Sequence, residues 1–547
     1  MDAEFPRRTV HEWLAAFCIA LVAVGLLQIP YALGYALARP GQEFAGVIMN
    51  PEDSQSYLAK MLQGYDGRWL YVIPFTMEDH APAFVGGFYL LLGHVARGFG
   101  LSLVAMWHFS RALADLLMFM AVFGFIATFL HEARARWIAY LLAVFGSGLG
   151  WLLFLLNQTY WLGWFPVDLK MPEAHLFFSA LTFPHVALGV ALIVASFWLS
   201  LRAFAPSGNW LYSLGAGLAN LALAIVYPFL IYLIVATLGL YWVYRSARAQ
   251  RVMWREAVRI GVAFALPAPL VLYYAVTLAM NPVFHAWDAQ SITLSPPWPH
   301  YLLAYGVMLA LALLSLRRAR VEHAFLWTWL VAVAALVYAP LNPQRRFVEG
   351  VQVPLAILAT VGLGEVALPW LSQTRMVRAL TASPRYSIAG LERLLIAAFL
   401  LVSSLSNLYI LASVSATVAF EQPYPLFRSR DEIAAVDWLR ANTARSDVVV
   451  GAYETGNYVA AHAGNRVVIG HWAETMDWQR KFDEVDAFYN RAISDAERQE
   501  FLKQYGVRFV WSGERERGLG NFDPAHADYL TLVFSNDAAR IYRVVDR

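Results

Sequence analysis

The stretch PAFVGGFYLLLGHVARGF, residues 82–99, decides the topology of this chain. It is apolar enough to be taken for a membrane span. Counting it as one places the basic segment His131–Arg136 outside and breaks the charge bias of every later loop. Phe84, Phe88, Leu92, Val95 and Phe99 recur at helical spacing, with Gly87, Leu90, His94 and Arg97 on other faces. A helix lying along the membrane surface accounts for both facts. A short buried span is the alternative.

Composition sets the class around that stretch. Hydrophobic residues make up 59 % and charged residues only 15 %, and mean hydropathy is +0.49. Apolar segments recur near 12–33, 104–130, 137–156, 180–203, 211–226, 228–244, 257–280, 300–316, 325–341, 348–370 and 392–414, about eleven spans. Arg7/Arg8, Arg134/Arg136, the run Arg245, Arg248, Arg251 and Arg255, Arg317/Arg318/Arg320 and Arg375/Arg378/Arg385 then fall on one side, the cytoplasm. A net charge of +2 gives no electrostatic case for nucleic acid. One cysteine, Cys18, excludes an internal disulfide and any multi-cysteine metal site. Ala36-Leu37-Ala38 looks like a signal-peptidase site, but the apolar run before it is longer than a signal core, so the first span is read as uncleaved.

The first outer loop then runs over 34–103, and others cover 157–179, 281–299 and 342–347. Pro296, Pro297 and Pro299 make the third extended. Residues 425–547 change character. Ser429 with Glu432 and Ser494 with Glu497 are capping boxes that open two helices. DVVVGA, RVVIG, VRFVW, LTLVF and ARIYRVV read as strands. The expectation is a polytopic α-helical membrane domain, 1–414, followed by a soluble α/β domain, 425–547, on the extracytoplasmic side.

Polar residues of the outer loops are the candidates for chemistry. In GVIMNPEDSQSYLAKM (46–61), Asn50 suits an N-cap, Pro51 the first helical position, and Glu52 and Asp53 the first turn. Capping and catalysis both fit these carboxylates. Arg345 and Arg346 stand in an outer loop against the charge bias; phosphate binding and snorkelling to headgroups are both open. Asp168, Glu173, His175 and His185 lie in the second outer loop, where Pro172-Glu173 starts a helix. Arg111 and Asp115 are spaced to pair inside a span. No motif with metal-binding spacing occurs. Glu454-Thr455-Gly456-Asn457 follows a strand and opens a helix, and GHWAETMDW (470–478) is aromatic and polar enough to stack a sugar.

The order of these features resembles the GT-C superfamily of membrane glycosyltransferases, which use polyprenyl-phosphate sugars and include the protein O-mannosyltransferases, the aminoarabinose transferases and oligosaccharyltransferase. The matching residues are Glu52-Asp53, SYLAKM, Gly64, Gly67, Trp69-Leu70, Pro74, Glu78-Asp79-His80, the helix 82–99 and Arg111. They cover about residues 10–135; later spans match in topology alone. The resemblance implies a GT-C-like fold with surface helices in the first outer loop. It implies Asp53 as catalytic base with Glu52 beside it, and Glu173, then Asp168, as the acidic group of the second loop. Related enzymes often carry a lysine at the turn occupied here by Tyr227, Pro228 and Phe229, which shifts weight onto Arg345 and Arg346 as holders of the lipid phosphate, with His80 and Tyr227 near the substrate. The pair here is Glu-Asp rather than Asp-x-Asp. No cofactor is therefore certain; a divalent cation, Mg or Mn, would take Asp53, Glu173 and His175. The implied partners are a polyprenyl-phosphate sugar donor, a lipid, glycan or protein acceptor and membrane lipids, at the plasma membrane. A transporter or lipid-binding protein is the competing reading; such proteins carry ionisable groups or broken helices at mid-membrane, often in repeats, and no repeat is seen.

Overall fold

The computed structural model describes residues 9–318, 320–383, 385–490 and 493–545. Arg7 and Arg8 lie outside them. The chain divides into two compact units. A helical unit comprises Met1–Ile29, Ser110–Val271 and Thr293–Val414, and a loop-and-sheet unit comprises Pro30–Phe109, Leu272–Ile292 and Ser415–Arg547. This division departs from the expected boundary of 1–414 against 425–547, because the first outer loop groups with the C-terminal residues. Strand β1 (Gln42–Phe44) pairs antiparallel with β2 (Phe427–Ser429), and the Arg39 N–H donates to Gln422 at 3.1 Å.

This is a multi-pass helical membrane protein. Seven described helices are long and apolar enough to cross a bilayer: Val10–Leu37, Leu103–Phe129, Pro184–Phe204, Leu230–Arg248, Trp298–Arg318, Gln352–Ser372 and Ile388–Glu421. Each matches an expected span. Of the remaining four expected spans, two are interrupted and two are helices shorter than these seven. Segment 257–280 is divided into helices Trp254–Ala265 and Ala268–Met280, bent by 55° at the break, where Pro267 interrupts the hydrogen-bond ladder. Segment 137–156 is divided into helices Ala133–Phe145 and Gly150–Leu155. In the gap the Ser147 hydroxyl donates to the Ser403 carbonyl at 2.7 Å, and Gly148 lies so close to Ala304 that a Cβ would stand 2.3 Å from its carbonyl oxygen. Trp210–Val226 and Ala324–Leu336, of 17 and 13 residues, are shorter apolar helices.

Within the helical unit, Gln352 ties three segments together. Its amide nitrogen donates to Leu142 and Gly146 at 3.0 and 2.7 Å, and its oxygen accepts from the Leu176 N–H at 2.7 Å. Arg111 donates to Gln28 at 2.6 Å and to the Ala180 carbonyl at 3.2 Å, and lies 3.9 Å from Asp115. Both charged groups are fully buried, so their pairing is the arrangement that makes burial tolerable.

In the loop-and-sheet unit, helix Pro51–Tyr65 packs on helix Gly87–Phe99. The approach is backbone to backbone: a Cβ at Gly64 would stand 2.1 Å from the Leu90 carbonyl oxygen, and one at Gly93 2.0 Å from that of Met61. The segment 82–99 is therefore helical only from Gly87, and its stripe does not face one way. Phe88 and Leu92 are buried while Phe99 is exposed, since the partner helix claims the small-residue face. At the start of Pro51–Tyr65, Asn50 takes a left-handed φ of 45° and its side chain makes no capping bond. The Pro at the first helical position stands as expected.

The five expected C-terminal strands all form, as β3 (Val448–Val450), β4 (Arg466–Val467), β5 (Val507–Gly513), β6 (Leu530–Ser535) and β7 (Ala539–Val544), in the sheet order β4-β3-β5-β7-β6. β3 runs parallel to β4 and β5, while β7 is antiparallel to β5 and β6. Val450, Phe488, Leu502, Val510 and Tyr542 centre its core. Ser494 and Glu497 form the full reciprocal capping box. Ser429 accepts from the Glu432 N–H, but the Glu432 carboxylate pairs with Arg428 instead of closing the box.

Candidate active site

Helix Pro51–Tyr65 carries Asp53, Ser56 and Lys60 at i, i+3 and i+7, which places them along one face. The loop after β4 supplies the groups they meet. A tight turn, in which the Glu474 and Thr475 N–H groups both donate to the His471 carbonyl, projects His471 and Glu474 together. His471 Nε2 lies 3.1 Å from Asp53 Oδ1. The ring is buried, and its Nδ1 has no hydrogen-bond partner among the described residues. An orphaned N–H costs more than an orphaned acceptor, which assigns the proton to Nε2, donating to the carboxylate. The Asp53 side chain is 33 % exposed, so solvent-borne groups reach it.

Beside this pair sits a closed ionic network. Lys60 Nζ lies 2.7 Å from Glu474 Oε1 and donates at 2.7 Å to Ser56. The Ser56 hydroxyl donates to Glu474, and the Tyr71 hydroxyl donates to its other oxygen at 2.6 Å. Burial alone would raise the Glu474 carboxyl, but Lys60 and these hydrogen bonds outweigh it and hold the group below the usual glutamate range. Burial, with Glu474 adding to it, pushes the Tyr71 phenol well up and keeps it a donor. Gly86, at φ 67°, leaves room for the Lys60 stem, which a Cβ would meet at 2.5 Å. Glu52 is engaged elsewhere: it accepts from the Tyr453 hydroxyl at 3.3 Å.

His80 is placed differently from expectation. Its Nε2 accepts from the Ile73 N–H at 3.0 Å and its Nδ1 donates to the Glu78 carbonyl at 2.9 Å. Burial lowers its pKa. Both nitrogens hold the loop in shape and neither is left for a substrate phosphate.

The second constellation lies in the helical unit. Arg346, in the short turn Gln344–Val348, stands 3.3 Å from Glu173 Oε1 and donates at 2.8 Å to the Tyr227 hydroxyl. Tyr227 occupies the break between helices Trp210–Val226 and Leu230–Arg248, and its ring meets His185 edge-on at 4.8 Å. Arg345 shares the turn; its backbone N–H donates to Thr293 at 3.1 Å. Glu349 follows, fully buried, with no hydrogen-bond partner at either oxygen among the described residues. Burial, reinforced by the charge of Glu173 and opposed by Arg346, raises its carboxyl well above the usual range.

Asp168 and His175 depart from the roles expected of them. Asp168 accepts from the Gly150 N–H at 2.9 Å and from the Ser406 hydroxyl at 2.6 Å, with no exposed surface. Burial lifts its pKa to about 6 against those hydrogen bonds. It fastens the start of helix Gly150–Leu155 and does not reach a substrate. His175 is fully buried, and burial lowers its pKa to about 3. Of the expected metal set of Asp53, Glu173 and His175, Glu173 is engaged by a guanidinium and His175 is fully buried, and no group of three His, Cys, Asp or Glu side chains suited to a metal occurs among the described residues.

His471, Glu474 and Glu349 were not singled out by sequence. The segment holding the first two was noted for its aromatic content, and no local signal ties it to residues 53–60. Two cavities open in the loop-and-sheet unit, of about 130 and 630 Å³; Asp53 lines neither.

Apolar spans, a helical first loop with a carboxylate at the head of its first helix, and a C-terminal sheet define a class of membrane protein fold. No family model and no curated protein matches the sequence, but solved structures do. ArnT from Cupriavidus metallidurans, bound to undecaprenyl phosphate, has a TM-score of 0.54 at 10 % identity, covering 98 % of each chain. The arabinofuranosyltransferase AftD from Mycobacteria has a TM-score of 0.55 at 13 % identity over 99 % of this chain, which spans 40 % of it. The oligosaccharyltransferase of Archaeoglobus fulgidus, in the apo form, has a TM-score of 0.50 at 12 % identity, covering 90 % of this chain and 69 % of the other. The chain has the fold of the GT-C glycosyltransferases.

Proposed function

We propose that this protein is a membrane glycosyltransferase that moves a sugar from a polyprenyl-phosphate donor to an acceptor at the outer face of the plasma membrane, where the loop-and-sheet unit is placed. The observation that carries the reading is Asp53. It heads a helix in a GT-C fold, keeps a third of its side chain exposed, and receives a hydrogen bond from buried His471. A base must be reachable by the proton it removes and must hold its orientation. Donors of this kind suit the outer face because nucleotide sugars are cytoplasmic. The bound lipid phosphate of ArnT agrees with this donor class.

The step is a single inverting displacement. Asp53 takes the proton of the acceptor's nucleophilic group, whose lone pair forms the bond to the anomeric carbon. The bond from that carbon to the phosphate oxygen breaks, and its electron pair leaves with the polyprenyl phosphate. Arg345 and Arg346 are the guanidiniums that the resemblance offers for the charge of a lipid phosphate. Glu173 and Tyr227 orient Arg346 rather than the acceptor. Two guanidiniums stand beside Glu173, and burial of Glu349 favours its neutral form.

The transporter reading would rest on the helix pair bent by 55°. Its break, Leu266-Pro267, carries no ionisable group, whereas transporters build their sites at such breaks. The test is transfer by the purified protein from a panel of polyprenyl-phosphate sugars to a cell-envelope acceptor extract. Binding of no donor would sink the donor class. Undiminished transfer by a folded Asp53→Asn variant would remove Asp53 as base.

A further inference from the structure

The smaller cavity of the loop-and-sheet unit is lined by none of Asp53, Ser56, Lys60, His471 and Glu474. It has a volume of about 130 Å³ and is lined in part by Gln63, Asp66, Arg68, Arg445, Ser446 and Arg466. One water needs roughly 10–15 Å³ measured in this way, so the space admits a group the size of a phosphoryl with part of what bears it.

Its charge is unbalanced. Three guanidiniums line it against one carboxylate, Asp66. Asp66 lies 3.5 Å from Arg445 Nε, and Asp79, outside the cavity, pairs with Arg466. Three cations less two anions leave one positive charge. Arg445 and Arg466 also hold backbone carbonyls, those of Arg440 and Ala463 and that of Met77, but through Nη1 only. Helix support therefore explains half of each guanidinium. Arg68 has no such explanation: its guanidinium makes no hydrogen bond or ion pair among the described residues. The carbonyls ending helix Pro51–Tyr65, which would repel an anion, are already covered by the N–H groups of Asp66, Gly67 and Arg68.

We propose that this cavity binds a phosphate oxyanion, gripped by Arg68 with Arg445 and Arg466 beside it. Arginine matches phosphate oxygens two at a time. The group arrives on an anionic lipid headgroup or as free phosphate. Trp69 and Leu70, next to Arg68 and 54 % and 42 % exposed, are the side chains that sit at a lipid–water boundary. The site stands whether or not the chain transfers sugar.

The experiment measures binding to the full-length protein in detergent with two probes, inorganic phosphate and dihexanoyl phosphatidylglycerol, with uncharged dihexanoylglycerol as the acyl control. Arg68→Gln changes an exposed side chain, and its unliganded Tm is expected to equal that of the wild type. Without the charge-assisted hydrogen bonds of that guanidinium, phosphate binding weakens by about tenfold or more. Phosphate binding that Arg68→Gln weakens supports a free-ion site. Phosphatidylglycerol binding alone, weakened in the same way, supports the headgroup. If both probes bind Arg68→Gln as well as wild type, or neither binds wild type above the acyl control, the proposal falls. Arg445→Gln, read by the same two probes at matched Tm, checks the second guanidinium.

Discussion

Two carboxylates of this protein, Asp53 and Glu173, hold similar positions in the chain's logic but opposite ones in its chemistry. Each starts a helical turn beside a proline, in an outer loop. Asp53 meets the His471 imidazole and keeps a third of its surface. Glu173 is buried against a guanidinium that also serves Tyr227. A single hydrogen bond from the imidazole orients the Asp53 carboxylate and leaves it reachable. A cation at 3.3 Å spends that charge. Under the proposed function the same residue class serves as base in one place and as anchor in the other, and the partner decides which.

The contrast breaks first at Asp53. Asp53→Asn keeps the shape and removes the base, so kcat is expected to fall by about 10²–10⁴ with Tm unchanged. Equal losses from Glu173→Gln through kcat alone, with donor affinity intact, would mean that the roles are reversed. The next largest effect is on stability. Lys60→Met strands the buried Glu474 carboxylate and is expected to cost about 3–5 kcal/mol, read from thermal or denaturant unfolding in detergent. Lys60→Met combined with Glu474→Gln should recover part of that loss, because the unpaired charge goes with it. Arg346→Gln comes third. Removing a charged hydrogen bond to phosphate is expected to weaken polyprenyl-phosphate binding by roughly 10- to 100-fold, leaving the Asp53–His471 pair and its pH response untouched.

Much of the architecture was legible because its signals are local. Apolar length marks spans, so seven of them fell where expected. Alternation and turn residues marked β3 to β7, and Ser494 with Glu497 is a complete cap within four residues. What escaped was non-local. Asp53 and His471 are 418 residues apart, and nothing in NPED or in GHWAETMDW names the other. β1 and β2 are three residues each, too short to announce themselves until they pair. The break at 146–149 depends on the Ser403 and Leu303 carbonyls, which accept from the Ser147 and Leu149 N–H groups. Asp168 and His80 looked like site residues because they are polar groups in outer loops. Their bonds to backbone show that a loop needs internal polar anchors as much as a substrate does.

The smallest expected effect is a pair of opposite pH responses, and it sharpens the contrast between the units. Glu474 has its pKa held below the ordinary glutamate value of 4.5. Its contribution to stability is present above that value and is lost as pH falls through the lower folded one. Glu349 is raised well above 4.5. The folded state therefore holds a proton that the unfolded chain releases, and stability declines as pH rises above 4.5 toward the folded value. Glu349→Gln keeps a neutral side chain in its place. It is expected to flatten the alkaline side of the stability profile while leaving the acid limb, which belongs to Glu474, where it was. In the wild type, donor affinity should weaken along the same alkaline limb, since ionised Glu349 cancels the one positive charge left by Arg345, Arg346 and Glu173. Unfolding and donor binding followed across pH in both proteins separate the two carboxyls. An alkaline limb unchanged in Glu349→Gln would mean that Glu349 is ionised throughout, and that the arginine turn meets the phosphate with no net charge at all.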